Sequence, residues 1–376
     1  MLQTPNKKKH RKDLSLYIHI PFCRTICVYC GFLTYANKAN LIDAYIKTLL
    51  SEISLKAPQH RHNQIVSIYF GGGTPSIIEA QKIKAIIDSI KNNYYMANNV
   101  EITIECNPES VTASKLINYK QYGVNRISLG VQSLNQKTLW RVARPHKKKD
   151  VKKTLHLLKK TGFKNFGTDF IIGLPFQTLN SFKKDIQEIL AFKPPHLSSY
   201  FLSYDTKKID LIAGDCPSED EQIKMYDWLT GILKKRGYKH YEVSNFALPG
   251  FECKHNLRYW HQQEYLGFGL GAHSFINNTC MINEENLEKY LNSPNSTTQR
   301  FPLDQELQKL DYIMLMLRTS NGINLKNYKK KYKDIATLKT KAKPYLSSGL
   351  LKQNKNRLFA TEKGFLLLDL ITKDLL

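Results

Sequence analysis

The sequence predicts an α/β chain whose body is a partial (βα)6 barrel, followed by a small winged-helix-like α+β domain. Three observations carry that prediction. Six short apolar runs recur, at residues 16–20, 65–70, 101–106, 126–131, 165–172 and 196–201. The segments between them, such as 39–56 and 80–90, hold apolar residues at helical spacing, and strand–helix–strand repetition with β-branched strands makes a parallel sheet. After a stretch rich in Ser, Thr, Asn and Pro at 292–299, which marks a linker, come helical segments and a short hairpin.

Each later element has its own signal. An amphipathic helix is expected between Glu219 and Arg236. Asp304 is placed to cap a helix bearing Leu307, Leu310, Ile313, Met314 and Leu317. Leu350-Leu351-Lys352 and Leu358-Phe359-Ala360 flank a polar turn at 354–356, and Thr361 opens a final helix. The expected divisions are a basic segment 1–15, a barrel with its extension over 16–290, and the C-terminal domain 300–376.

Composition narrows the class. With 376 residues, 42% hydrophobic and 23% charged, the chain is an ordinary globular protein with ample core. Seven cysteines form no even framework, which points to a reducing compartment. Residues 1–13 are basic but lead into no apolar leader, and no run approaches 18 apolar residues, so a cytoplasmic protein is expected. The net charge of +24 invites a nucleic-acid reading, but only 11 of the 56 basic residues are Arg and the lysines are spread. A solvated surface is the better reading and no nucleic acid is expected. Peripheral contact with anionic lipid and a homodimer are both compatible with the sequence.

The strongest motif follows the first apolar run. Cys23, Cys27 and Cys30 stand at C-x3-C-x2-C in a loop leaving a buried strand. That spacing suits a [4Fe–4S] cubane with one iron uncovered, since a fourth thiolate is missing and position 32 is Phe32. Structural zinc wants a second cysteine pair, and three clustered thiols cannot pair evenly as disulfides. In a parallel barrel chemistry gathers at the C-terminal strand ends. The other polar motifs fall there too.

The string Tyr17-Ile18-His19-Ile20-Pro21-Phe22-Cys23 through Tyr29-Cys30-Gly31-Phe32 resembles the radical S-adenosylmethionine (SAM) family, in its coproporphyrinogen-oxidase-like branch that includes haem chaperones. The resemblance runs from Leu16 almost to the C-terminus. It implies a cluster on Cys23, Cys27 and Cys30 with SAM on the open iron, and cofactor contacts from Tyr17 and Tyr29. Gly72, Gly73 and Thr74 match the element that binds the methionyl amino group. Glu105, in Glu105-Cys106-Asn107-Pro108, would hold a ribose or ammonium group, and Gln132 matches a SAM-site position. Arg144 and His146 keep an R-x-H triplet, although Ala143 replaces a usual Gly. Asp169 is an inward polar group of the fifth strand. Relatives carry Glu and Gly-Thr in the loop after the sixth strand, where this chain has Tyr204-Asp205-Thr206 and is shortened.

Outside the barrel, His255-Asn256-x-x-Tyr259-Trp260 resembles an element of the haem-chaperone branch. It makes His255 a candidate axial ligand for haem, with His273 a second. The alternative, read from the residues alone, is that the same groups tie the barrel to its extension. Cys106 reads as a small buried residue, and His196 as a core histidine. Phe32, where the true oxidase has a fourth Cys, and the short stretch before Cys23 favour a haem chaperone that delivers haem to apo-proteins of the respiratory chain. The alternatives are radical decarboxylation of coproporphyrinogen III and, further behind, modification of RNA.

Overall fold

The computed structural model describes residues 11–203, 209–294 and 297–376. Part of the basic N-terminal segment, the loop Tyr204-Asp205-Thr206 and residues 295–296 of the expected linker lie outside them. Six parallel strands lie side by side in sequence order: β1 (Lys12–Ile20), β2 (Asn63–Gly72), β3 (Tyr95–Cys106), β4 (Arg126–Gln132), β5 (Phe166–Ile172) and β6 (His196–Phe201). Helices α1 (Ile42–Lys56), α2 (Ala80–Asn93), α3 (Ala113–Tyr122), α4 (Lys148–Lys160) and α5 (Leu179–Leu190) connect them. The expected partial barrel is therefore present, with β1 and β3 starting earlier than their apolar runs.

Alternation along the strands separates two environments. Leu14, Leu16, Ile18 and Ile20 of β1, Ile68 and Phe70 of β2, and Ile127, Leu129 and Val131 of β4 are buried in the main apolar core. Helix α2 meets that core with Ile83, Ile86, Ile87 and Ile90, the i, i+3, i+4, i+7 stripe of an amphipathic helix. The residues between face inward and are polar: Ser15, Ser67, Glu101, Thr103, Arg126 and Ser198 are all buried. A buried polar lining is tolerated only when its groups find partners. Here Ser67 bonds Ser15, Glu101 and Arg126 bond the segment 251–255, and Ser198 bonds Asp169, while the Thr103 hydroxyl has no partner among the described residues.

The sheet runs on past the six strands. After α6 (Glu219–Lys235), β7 (Lys239–Glu242) and β8 (Asn245–Ala247) extend the β6 edge in antiparallel fashion. Helix α7 (Lys254–Trp260) follows. Then β9 (Tyr265–Phe268) returns to lie parallel beside β1, and β10 (His273–Ile276), β11 (Thr279–Asn283) and β12 (Thr297–Pro302) continue antiparallel. Among the described residues this makes one sheet of twelve strands. Residues 297–299, expected as linker, are instead part of edge strand β12: their polar composition suits a strand with a solvent face.

The C-terminal region has its own core of Ile313, Leu317, Ile323, Leu358 and Ile371. It comprises α8 (Gln305–Leu317), β13 (Ile323–Asn324), α9 (Leu325–Tyr332), α10 (Ile335–Ser347), the hairpin β14 (Leu351–Gln353) and β15 (Arg357–Ala360), and α11 (Leu368–Leu375). Asp304 caps α8, accepting from the Leu307 N–H at 2.8 Å. The Val243 N–H donates to the Arg318 carbonyl at 2.8 Å and joins this region to the barrel extension. No helix among the described residues is long and apolar enough to cross a membrane.

Candidate functional site

The cysteine loop is pinned on both sides by backbone bonds. The Gly73 N–H donates to Ile20 O at 2.9 Å, and the Thr74 N–H to Phe22 O at 2.8 Å, so the turn after β2 holds the chain leaving β1. The Val28 N–H donates to Val142 O at 3.2 Å, and the Thr25 hydroxyl to Ala143 O at 3.2 Å. The Cys30 N–H donates to Cys27 O at 3.1 Å, closing the turn between two of the thiols. Gly73 has no alternative here: a Cβ would lie 2.8 Å from Phe22 O and 3.0 Å from Cys23 Sγ. Gly72 has φ +109°, and its Cβ would fall 2.5 Å from the His19 ring. Both glycines thus shape the cysteine loop itself, so enlarging either would disturb more than ligand approach.

One cavity of about 160 Å3 gathers the motifs. Cys23, Cys27, Cys30, Tyr29, Gly72, Gly73, Thr74, Glu105, Gln132, Arg144 and Asp169 all line it. Asn107, quoted with its motif but given no role, turns out to be central. Its Nδ2 donates to Thr74 Oγ1 at 3.1 Å, and its Oδ1 accepts from Arg144 Nη2 at 2.7 Å. Thr74 Oγ1 lies 3.5 Å from Cys23 Sγ and Arg144 Nη1 lies 3.6 Å from Cys27 Sγ, so Asn107 links two thiol contacts. Its partners are more than 30 residues away. Only the E-x-N-P spelling around it could have given the signal.

The cavity's electrostatics follow from burial. Burial pushes the Glu105 carboxyl up to about 7, with the Tyr69 hydroxyl donating at 2.9 Å as the main opposing influence. Asp169 is also raised by burial, although the Ser198 and Ser128 hydroxyls donate to it at 2.7 and 2.9 Å. Burial works against the Arg144 charge, but Tyr29 and Cys27 beside it outweigh that, and the guanidinium stays charged. The Cys23 and Cys30 thiols are pushed up by burial. Gln132 adopts φ 63° where the β4–β5 register slips, and its Oε1 is buried with no partner among the described residues. Arg144 Nε is unpartnered in the same way. A bulge that aims an unsatisfied amide into a cavity is a ligand-facing feature.

Two candidates lie elsewhere. Tyr17 borders a neighbouring, larger cavity, its hydroxyl 3.1 Å from His19 Nδ1. His255 is buried towards the N-terminal end of the barrel, where segment 251–259 closes it. Its Nδ1 meets Ser67 Oγ at 2.9 Å, its Nε2 meets the Tyr259 hydroxyl at 2.7 Å, and its ring stacks on Tyr69 at 5.1 Å. Glu101 accepts from the Lys254 and His255 N–H groups at 3.2 and 3.0 Å, and Arg126 donates to Phe251 O at 2.9 Å. With both ring nitrogens engaged, this geometry does not present His255 to an iron; it ties the barrel to its extension. His196 is a core histidine bound to the Tyr241 hydroxyl at 2.8 Å. Cys106 borders the cavity, yet its thiol packs in the apolar core and burial pushes it up to about 12.

Residues 17–189 match the family model of the radical SAM superfamily, and residues 303–367 that of the HemN C-terminal domain. The chain is 34% identical over 376 residues to the heme chaperone HemW of Lactococcus lactis subsp. lactis (strain IL1403), covering 97% of this chain and 96% of the relative. This chain belongs to the HemW family. The HemW protein of Bacillus subtilis (strain 168) is 31% identical over 367 residues, covering 94% of this chain and 96% of that one. Among solved structures, the Escherichia coli coproporphyrinogen III oxidase HemN superposes with a TM-score of 0.86 at 23% identity, over 97% of this chain and 90% of that one. That likeness shows the fold.

Membership of the HemW family, within the radical SAM superfamily, implies a [4Fe–4S] cluster and SAM. The residues present fit them. Among the described residues no three His, Cys, Asp or Glu side chains converge on a single-ion position. A cubane instead takes one thiolate per iron, and three thiols around one cavity are the donor set it needs.

Proposed function

We infer that the chain is a haem chaperone that carries a [4Fe–4S] cluster and SAM, binds haem, and passes it to apo-haem proteins of the respiratory chain. In this reading residues 16–290 hold the cofactors and residues 300–376 close over them. Cys23, Cys27 and Cys30 would hold the cluster, and the chemistry it would supply is electron transfer to SAM. Thr74, Asn107 and Arg144 orient the thiols and keep a positive charge beside them. Glu105 and Asp169 offer carboxylates to an ammonium and a ribose, while Gln132 supplies a free amide oxygen. The turn at Gly72 and Gly73, free of side chains, leaves room for the ligand beside the cysteine loop.

The observation that carries the chaperone reading is Phe32. It occupies the place of a fourth cysteine, is 71% exposed, and lines both the cluster cavity and the larger one beside it. An apolar ring between the two cavities suits a macrocycle held near the cluster. The relatives at 34% and 31% identity carry the name heme chaperone, which supports the same reading. The test is a haem titration beside a turnover assay. The purified, cluster-loaded chain should bind haem with micromolar or better affinity, about −8 kcal/mol. It should convert no coproporphyrinogen III under reducing, SAM-replete conditions, and robust decarboxylation would overturn the reading.

A further inference from the structure

The larger cavity, about 640 Å3, lies within the size range of small-molecule sites, roughly 300–1,000 Å3. Phe32, Tyr259, Tyr265, Phe275 and Met314 wall it. The Tyr259 and Tyr265 rings meet edge-to-face at 4.5 Å, an arrangement that leaves one aromatic face open beside the next. Its position matters as much as its lining. Gly31 and Phe32, directly after Cys30, belong to both this cavity and the cluster cavity.

Two imidazoles reach these walls, His19 and His273. His19 is committed, with Nδ1 3.1 Å from the Tyr17 hydroxyl and Nε2 2.9 Å from Leu33 O. The His273 side chain is exposed, and its ring has no hydrogen-bond partner among the described residues. Strand register places it well. His273 pairs with Ile282 and Phe275 with Cys280, so imidazole, phenyl and thiol share one face of the β10–β11 ladder. Burial and the nearby Asp311 push the Cys280 thiol up, which keeps it protonated and leaves the imidazole as the better donor.

Charge orients the occupant. Glu285 and Asp311 border the cavity, with no Lys or Arg among its lining residues. They favour a ligand with a cationic centre and repel one that brings carboxylates to the same place. At the other end the cavity shares Gln262, Gln263 and Phe275 with a polar cleft that holds Arg11, Lys12 and Arg258 against Asp13 and Glu264. Lys12 is paired with Glu264 and Arg258 with Asp13, which leaves the Arg11 guanidinium, stacked on Tyr95, as the one uncompensated charge among the cleft's lining residues and a modest attraction for an anion. Such a lining suits a flat apolar body with a cationic metal at its centre and a carboxylate edge.

Resting on the reading of the chain as a haem carrier, we propose that this cavity is the tetrapyrrole seat, with His273 as the iron ligand and Phe32, Tyr259 and Tyr265 as its aromatic walls. His255 then acts indirectly: its bond to the Tyr259 hydroxyl holds one wall in place.

The experiment titrates haem and metal-free protoporphyrin IX into the cluster-loaded wild type and three variants, His273→Ala, His255→Ala and Met314→Trp. His273→Ala, an exposed position, should weaken haem at least about tenfold and change the electron paramagnetic resonance spectrum of the ferric form, while protoporphyrin IX binds as before. His255→Ala should weaken both ligands yet keep the wild-type axial spectrum. Met314→Trp, which fills the cavity, should weaken both. Wild-type haem affinity and spectrum in His273→Ala, or unchanged porphyrin binding in Met314→Trp, would overturn the assignment. A wild type that binds neither ligand would overturn the haem-carrier reading and this site with it.

Discussion

Gln132 and Ala143 both adopt left-handed backbone, with φ of 63° and 57°, and differ in what the strain achieves. At Gln132 it aims a buried amide oxygen into the cluster cavity. At Ala143 the side chain is exposed, and the useful contact, with the Thr25 hydroxyl, is made by the backbone carbonyl. Left-handed backbone costs a residue with a Cβ about 1–2 kcal/mol, while glycine loses about 0.5–1 kcal/mol through the unfolded chain. Ala143→Gly should therefore stabilise the protein by about 0.5–1 kcal/mol, seen as a higher denaturant midpoint with unchanged slope. Glu105 gives a pH dependence. Its folded pKa of about 7 lies above the ordinary 4.5, so its burial favours the protonated form. That contribution is complete below pH 4.5 and disappears as pH rises through 7. For the SAM-free chain, the stability of wild type relative to Glu105→Gln should fall between pH 4.5 and 7 and stay level outside that window; a flat difference would contradict the burial argument. The thiols and glycines were legible in the sequence because their chemistry is written in local spacing. Asn107 and Tyr69 were not, because their partners come from segments more than 30 residues away, and His255 showed its imidazole but not the two bonds that occupy it.

At the scale of elements, six apolar runs with helical segments between them were enough to read the barrel, and the polar inward face follows from alternation along the strands. The extension was not legible as sheet: β9 is four residues long, and its place beside β1 depends on tertiary pairing more than 240 residues apart. Polar residues do the joining. Glu52 of α1 is fully buried and accepts from Lys56 Nζ at 2.5 Å, Asn283 Nδ2 at 2.7 Å, the Gly269 N–H at 2.8 Å and the Tyr290 hydroxyl at 2.8 Å. One carboxylate thus fastens α1 to β11, to the turn after β9 and to the helix Leu287–Asn292. Removing it leaves the buried Lys56 ammonium with Asn283 Oδ1 at 3.0 Å and Gly267 O at 3.4 Å but no counter-charge. Glu52→Ala should cost about 3–5 kcal/mol, measured by equilibrium unfolding, whereas a loss below about 1 kcal/mol would mean that the network is slack.

For the whole molecule, the net charge of +24 sits beside a cluster cavity whose buried groups are of both signs, Glu105 and Asp169 against Arg144. The bulk charge therefore says little about the chemistry inside, which depends on a few desolvated groups. The two apolar cores, one in the barrel and one in the C-terminal region, meet through backbone bonds at Val243 and Ser320. The order of assembly is constrained by β1. It leaves the ribosome about 250 residues ahead of its partner, so one of its two edges waits for β9, which pairs Ser15 with Tyr265 and ends at Phe268. Until that much chain has been made, the row from Ser15 to Ile18 keeps an unpaired edge able to recruit any other strand. Translation of this protein thus passes through a long interval in which β1 stays sticky along one edge, and the segment that ends the interval is the one that also walls the larger cavity.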